Sequence, residues 1–404
     1  MSPAAPRVLV TDASRGSAIA IIRSLGRRGI EVIAGDHNPR SPGFRSRYVS
    51  RQVVYPDPAQ APEAAIDELL GEAARRHVDL LVPVSDEILL PLSAARDRFD
   101  GVCELAIPEP DALAVVTDKR ATLALGRRLG VPAPRTALAR DADEALAAAP
   151  ALGWPVVVKP VASRVYRDGA VAAYRVAYAE GPDALVAQVR ALQGRCPVLL
   201  QEYQAGEGHG VELLTDRGRP LAAFQHRRLH EVPFTGGASA LRESVALDPV
   251  LYDHASRLLA ALRWTGLAMV EFRVGPDGPL LMEINGRIWG SLPLAVKSGV
   301  DFPLRLVELH LGRRLVPGAG GVGVEGVRSR NVGLELVWIA SVLRRHRRYP
   351  FLPAPRRREA LAAALRLPFP RDGFDVFCRD DPLPALAELA AVTGHLARKA
   401  GHAG

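Results

Sequence analysis

Lysine is almost missing from this chain. Of its 52 basic residues only four are lysine: Lys119, Lys159, Lys297 and Lys399. Arginine is the general-purpose cation here, so a retained lysine hints at a place where a compact ammonium is wanted; an accidental survivor reads the same way. Cysteine is scarce too. Cys103, Cys196 and Cys378 lie far apart and make no metal or redox spacing, which suits a reduced cytoplasm. No run of about eighteen uncharged apolar residues occurs, so no membrane-spanning helix is expected. The opening MSPAAPRVLVTDAS has no basic stretch ahead of an apolar one, so no secretory signal is expected. Aromatics are only 5% of the chain, and none is interleaved with the C-terminal arginine clusters in a stacking pattern. A nucleic-acid partner is therefore not expected.

What is present is ordinary for a soluble globular protein: 48% hydrophobic and 24% charged residues. A length of 404 residues predicts two or three domains. The net charge of +8 is confined to residues 313–404, which hold 16 Lys+Arg and 8 Asp+Glu; residues 1–312 hold 36 of each sign. RVLVTDA (7–13), SAIAIIRSLGRRG (17–29) and IEVIAGD (30–36) read as strand, helix and strand, a Rossmann-like β-α-β opening. Its first turn, DASRGSA, is not G-x-G-x-x-G, which argues against a nicotinamide dinucleotide; Asp36 reads equally well as a strand-end cap. This first unit is expected to end near residue 110. Beyond it, 118–136 reads as a helix closed by Gly130, followed by strands at 154–160, 197–203, 210–216 and 220–229, a helix at 248–264, and two strands, 267–274 and 279–285, joined by GPDG.

The last of these strands ends oddly, in LLMEINGRIWGS (280–291). Side chains alternate along a strand, so Glu283 and Asn285 share a face. If the GPDG hairpin pairs Glu271 with Glu283, three oxygen donors converge on one patch. Hard divalent cations take such oxygens and accept few protein ligands when phosphates supply the rest. Arg287 adds a planar fork suited to a phosphate oxygen. A solvated hairpin tip with an Asn cap is the plainer alternative. Upstream, VVVKP brings Lys159 to a core strand, where an ammonium needs a charge partner. Lys119 opens the helix after VVTD. Gln201, Glu202, Tyr203 and Gln204 end another strand, where backbone groups could read an adenine edge, with Glu207 in reach of a ribose.

In order, TDK, VVVKP, LLQEY, VEFRV and LMEINGRIWGS resemble the ATP-grasp ligases over residues 7–312. The resemblance implies an α/β (α+β ATP-grasp) fold: a Rossmann-like pre-ATP-grasp domain at 1–110, an ATP-grasp domain at 111–312 whose lid spans about 118–203, and a basic, mostly helical extension at 313–404. It also implies ATP contacts from Lys119, Lys159, Gln201, Glu202, Tyr203, Gln204 and Glu207. Glu271, Glu283 and Asn285 would hold Mg²⁺ (two ions, with Mn²⁺ as a substitute), and Arg287 the transferred phosphate. The implied reaction is ATP-dependent activation of a carboxylate as an acyl phosphate, with ADP released, and joining to an amine. A phosphotransferase and a non-catalytic nucleotide-binding protein use the same residues and stay open. The family is also compatible with a homodimer through the first domain.

Three further stretches carry expectations. In FQHRRLHEVPFTGGASALRES (224–244), Arg228 is a catalytic candidate, while Arg227, Gly236 and Gly237 suit a carboxylate or acyl phosphate. His226 and His230 read as ordinary polar residues, since no third ligand is spaced with them. Asp86 and Glu87, at a strand end of the first domain, face where ligands collect in open α/β sheets. VASRVYRDG (161–169), with Ser163 and Arg164, reads as a mobile loop over the phosphates. The apolar stretch and arginine clusters of 331–358 suit a docked helix with a solvated basic end, an anionic membrane surface or an acidic partner.

Overall fold

The computed structural model describes residues 5–161, 164–167, 170–173, 176–192, 197–312, 323–344, 349, 351–367 and 372–391; Ser163, Cys196 and Lys399 lie outside them. The chain opens with β1 (Arg7–Val10), α1 (Gly16–Gly26), β2 (Glu31–Asp36), β3 (Val49–Val54), α2 (Pro62–Arg76), β4 (Leu80–Val82), α3 (Asp86–Ala94) and β5 (Glu104–Leu105). These strands make a parallel sheet in the order β3-β2-β1-β4-β5. Val8, Leu9 and Val10 are fully buried, as a central parallel strand covered on both faces requires. Asp36 is buried and its oxygens accept from Ser14 N, Asn38 N and Ser41 Oγ. It acts as a strand-end cap, so the dinucleotide reading has no acid left to use.

Two helices, α4 (Pro110–Thr117) and α5 (Lys119–Arg128), lead into a second sheet. Asp118 caps α5 by accepting from the N–H groups of Arg120 and Ala121. The chain then runs through β6 (Thr136–Ala139), α6 (Ala142–Leu152), β7 (Val156–Pro160), the separate two-stranded pair β8 (Arg164–Arg167) and β9 (Ala170–Ala173), β10 (Ala177–Ala179), α7 (Pro182–Leu192) and β11 (Val198–Glu202), of which β6, β7, β10 and β11 make the second sheet. Its order is β10-β7-β11-β6, and it has its own core, including Val156, Val158, Leu185 and Leu200. Of the loop expected at 161–169, the described residues Arg164–Arg167 form β8, which pairs antiparallel with β9; Ser163 lies outside the described residues. The sequence carries Asp-Gly between two β-forming runs there, a hairpin signal.

The third sheet contains β12 (Glu207–Asp216), β13 (Arg219–Val232), β14 (Ala238–Ser244), β15 (Gly266–Gly275) and β16 (Gly278–Asn285), with α8 (Pro249–Ala261), α9 (Leu292–Lys297) and α10 (Phe302–His310) packed on it. The chain continues as β17 (Arg328–Arg330), α11 (Val332–Leu343), α12 (Arg357–Arg366) and β18 (Gly373–Phe374). The sheet order is β16-β15-β12-β13-β14-β17-β18, so the C-terminal segment adds two strands to it. Strict alternation divides this sheet. Val211, Leu213, Ala268, Val270 and Phe272 enter one core. On the other face Leu214, Leu267 and Met269 enter a second core with α9 and α10. Further along that second face the same alternating positions are polar, and a cavity opens.

The C-terminal segment is docked, not trailing. Trp338, Ile339 and Val342 of α11 pack on Ala360 and Ala363 of α12. Asp381 accepts from Arg23 Nε at 2.8 Å, Ser46 Oγ at 2.7 Å and Arg47 N at 2.9 Å, while the other Arg23 nitrogens donate to the carbonyls of Val376 and Asp381 at 2.6 Å. Lys297, the third lysine, donates to Ser329 Oγ and the Phe374 carbonyl in the same seam, and burial pushes its ammonium down to about 8. Among the described residues no helix is long and apolar enough to cross a membrane. Arg23 and Asp381 side chains are 6% and 2% exposed, so removing either leaves an uncompensated buried charge. Arg23→Ala is expected to lower stability by about 3–5 kcal/mol, read from urea unfolding. A loss below about 1 kcal/mol would show that the seam contributes little.

Candidate active site

The hairpin pairs β15 with β16 so that Glu271 stands directly opposite Glu283, and Met269 opposite Asn285. The convergence expected of this turn is therefore realised. Asn285 Nδ2 donates to Glu271 Oε1 at 2.8 Å and stands 3.5 Å from Glu283 Oε1. Met269, Glu271 and Arg273 share the cavity face because they alternate with Ala268, Val270 and Phe272, which are buried in the opposite core.

Cations reach this patch from distant parts of the chain. Lys119 Nζ, at the start of α5, lies 3.6 Å from Glu283 Oε2. Arg228 Nη2, from β13, lies 2.5 Å from Glu271 Oε1, and its Nη1 donates to the Gly237 carbonyl at 3.1 Å. Lys159 Nζ, from β7, donates to Gln201 Oε1 at 2.6 Å. Arg273 Nη1 holds Glu231 Oε2 and the Gly206 carbonyl, both at 3.1 Å. Arg287 Nε pairs with Asp86 Oδ2 at 3.1 Å. Asp86 is presented by the N-terminus of α3, where the buried Asp12 carboxylate accepts from Ser85 N and Ser85 Oγ.

The electrostatics follow from this crowding. Burial pushes the Lys159 ammonium down to about 8; Glu283 opposes the fall, and Lys119 and Arg273 add to it. Burial alone would raise Glu283, but Lys119, Lys159, Arg228 and Arg287 outweigh it and hold that carboxyl below its ordinary range. The cavity has a volume of about 460 Å³ and is lined by six cationic side chains and three carboxylates. Its charge balance favours a polyanion. The donor set suits a hard divalent ion: two carboxylates and an amide on adjacent strands, with phosphate oxygens completing the shell. Glu271, Glu283 and Asn285 are the residues that would hold it.

Lys119, Lys159, Gln201, Glu202, Tyr203, Gln204, Arg228, Gly236, Gly237, Glu271, Glu283, Asn285 and Arg287 all line this one cavity. Two of them are turned to neighbours: Gln201 Oε1 is taken by Lys159, and the Glu202 carboxylate accepts from Arg135 N at 2.8 Å and Arg135 Nε at 2.5 Å. Four other expected residues stand elsewhere. Arg227 alternates with Arg228 and lies on the opposite face, paired with Glu243 at 2.7 Å. Glu207 lies 3.7 Å from Arg227 on that same face, away from the cavity. Asp86 reaches the site only through Arg287, and Glu87 pairs with Arg15 at 3.6 Å.

Several lining residues escaped the sequence reading. Tyr178 of β10 stacks edge-on with Tyr203 and donates to the Thr235 carbonyl at 2.8 Å, fixing the TGG loop. Gly236 in that loop has φ +123°, and a Cβ there would come within 2.8 Å of Arg273 Nη2. His226, Arg242, Trp289, Ser291 and Asn331 also line the cavity. Arg273 had a local signal, its alternation with Glu271; the others depend on pairing between remote segments.

Comparison with known proteins agrees with this architecture. Residues 195–330 match the family described as "ATP-grasp in the biosynthetic pathway with Ter operon". The chain is 35% identical over 164 residues to the formate-dependent phosphoribosylglycinamide formyltransferase of Burkholderia mallei (strain SAVP1), which covers 40% of this chain and 38% of that protein. The chain thus spans less than half the length of the curated relatives it matches. Among solved structures, the Hydrogenobacter thermophilus 2-oxoglutarate carboxylase biotin carboxylase domain dimer, in complex with MgADP, ADP and bicarbonate, aligns at TM-score 0.61 and 18% identity, covering 80% of this chain and 73% of that one. An L-amino acid ligase from Bacillus licheniformis aligns at TM-score 0.58 and 18% identity, covering 76% and 75%. The family match at residues 195–330 falls on the large sheet that carries Glu271, Glu283 and Asn285, and the likeness in fold extends over about 80% of the chain.

Proposed function

We propose that this protein is an ATP-dependent ligase that activates a carboxylate as an acyl phosphate, releases ADP and joins the acyl group to an amine. The observation that carries the reading is the meeting of Lys119, Lys159, Arg228 and Arg287 around Glu283 and Glu271 in one cavity. ATP phosphates would lie against Lys119 and Lys159, and the adenine against the β11 end at Gln201–Gln204 beside Tyr178 and Tyr203. Glu271, Glu283 and Asn285 would hold Mg²⁺, two ions or one, with Mn²⁺ as a substitute; when bound, the metal neutralises phosphate charge and aligns the transferred group. Arg228 and Arg287 bracket the site where the carboxylate oxygen meets the γ-phosphate. Their planar forks suit the equatorial oxygens of the transferring phosphoryl group. Catalysis is then positioning and charge neutralisation, with no covalent enzyme intermediate. Substrates are small molecules, and a homodimer is part of the proposal.

The reading is tested by separating ATP, ADP and AMP after incubation with MgATP and pooled carboxylates and amines. ADP that forms only with a pool, and falls at least about 100-fold in Glu283→Gln, is the expected result. AMP would mean adenylation and would sink the acyl-phosphate route.

A second expectation concerns pH. The ligand-free Lys159 ammonium is held down to about 8, and bound phosphate favours the charged form. Binding above pH 8 therefore requires proton uptake. MgATP affinity should fall as pH rises past 8, by at most about tenfold per unit. Calorimetry in two buffers of different ionisation enthalpy should show uptake approaching one proton at pH 9, abolished in Lys159→Met. Equal heats in both buffers would contradict this.

A further inference from the structure

The large sheet carries one row of residues that crosses the site. Ser244, His226, Gly210, Glu271 and Glu283 are direct neighbours on β14, β13, β12, β15 and β16. Directly paired residues project to the same face, so His226 faces the same cavity as the two carboxylates, two strands (about 10 Å between backbones) from Glu271 and three from Glu283. The residue between them is a glycine. A Cβ on Gly210 would come within 2.4 Å of His226 Cε1 and 2.9 Å of Met269 Sδ, so the imidazole lies over Gly210 in space that any other residue would fill.

Behind the ring stands Glu212, two residues along β12 on the same face. Its Oε1 lies 2.9 Å from His226 Nδ1 and accepts from Ser291 Oγ at 2.9 Å. His226 and Glu212 are both fully buried. The 2.9 Å approach of Glu212 to Nδ1 falls outside hydrogen-bond geometry, so Nδ1 has no hydrogen-bond partner. His226 Nε2, Glu212 Oε2 and Trp289 Nε1 likewise have no hydrogen-bond partner, and His226 and Trp289 line the cavity. A buried polar atom without a partner is costly, because it has given up its hydrogen bonds to water. Such atoms facing a cavity point to an occupant that satisfies them.

Resting on the ligase reading, we propose that His226 is the general base for the second half-reaction, with Glu212 and Ser291 as its positioning residues. In the occupied site the Glu212 carboxylate, already 2.9 Å from Nδ1, accepts the proton of that nitrogen and leaves Nε2 as an acceptor. The incoming amine enters the part of the cavity lined by His226, Trp289, Ser291 and Asn331. Its nitrogen lone pair attacks the acyl carbon, and the bond from that carbon to the phosphate oxygen breaks. Phosphate leaves with the bonding electrons, and the proton lost by the nitrogen passes to His226 Nε2. No oxidant, reductant or further reactant is needed.

The test uses the carboxylate and amine found by the pooled screen, with hydroxylamine as a second, unpositioned nucleophile that traps the acyl phosphate as a hydroxamate. In His226→Gln the amide rate should fall about 100-fold or more, the range of general-base catalysis, while the hydroxamate rate falls less than tenfold. Glu212→Gln should shift the same ratio to a smaller degree. Melting temperature and MgATP affinity, measured on both variants, report folding. Equal loss of amide and hydroxamate, or amide formation at the wild-type rate in both variants, overturns the assignment of His226. Absence of hydroxamate from the wild-type protein with every carboxylate overturns the ligase reading instead.

Discussion

One carboxylate holds the site together. Glu283 stands among four cations that come from the start of α5, from β7, from β13 and from the turn after β16. Without it and Glu271, these groups would face one another in a part-buried cavity, where repulsion is screened far less than at the surface. The three sheets converge on this point. The parallel sheet supplies Asp86, which orients Arg287; the second sheet supplies Lys159 and the Gln201–Gln204 edge; the large sheet supplies the carboxylates. The balance still favours positive charge. That balance favours a polyanion, and an oxygen-bound divalent ion would neutralise part of the polyanion's own charge.

The C-terminal segment belongs to this arrangement. β17 and β18 extend the large sheet, and Asn331 at the cap of α11 lines the cavity. His230 stacks on Trp338 with centroids 3.6 Å apart and lies 2.9 Å from Glu335, which in turn holds Arg330. Leu352 packs on Val157 and Tyr178, which line the cavity. The excess positive charge of residues 313–404 is thus partly spent internally: Arg330 pairs with Asp372 and Arg328 with Glu243, while Arg356, Arg357 and Arg358 remain exposed.

What could be read from the sequence was local. The hairpin was legible because GPDG fixes a register and alternation does the rest; Glu271, Glu283 and Asn285 lie within fifteen residues of one another. Lys119 and Lys159 stood out through scarcity, although Lys297 shows the limit of that hint, since it serves a structural seam. Alternation also explains the misses. Arg227 and Arg228 are adjacent, and only the pairing of β13 with β12 decides which one enters the cavity. Glu207 fails for the same reason. His226 had no sequence signal: its partner Glu212 lies across a strand pair, and the space it occupies exists because residue 210 is glycine. Tyr178, Trp289 and Asn331 come from three separate segments, and no local pattern joins them.

The most direct test of the account follows the carboxylate oxygen. If the two arginines and the metal ligands assemble an acyl phosphate, one oxygen of the activated carboxylate must leave with the phosphate. Turnover with an ¹⁸O-labelled carboxylate, followed by mass spectrometry of the released inorganic phosphate, should show one ¹⁸O per phosphate. Unlabelled phosphate, with product formation intact, would contradict acyl-phosphate activation at this site.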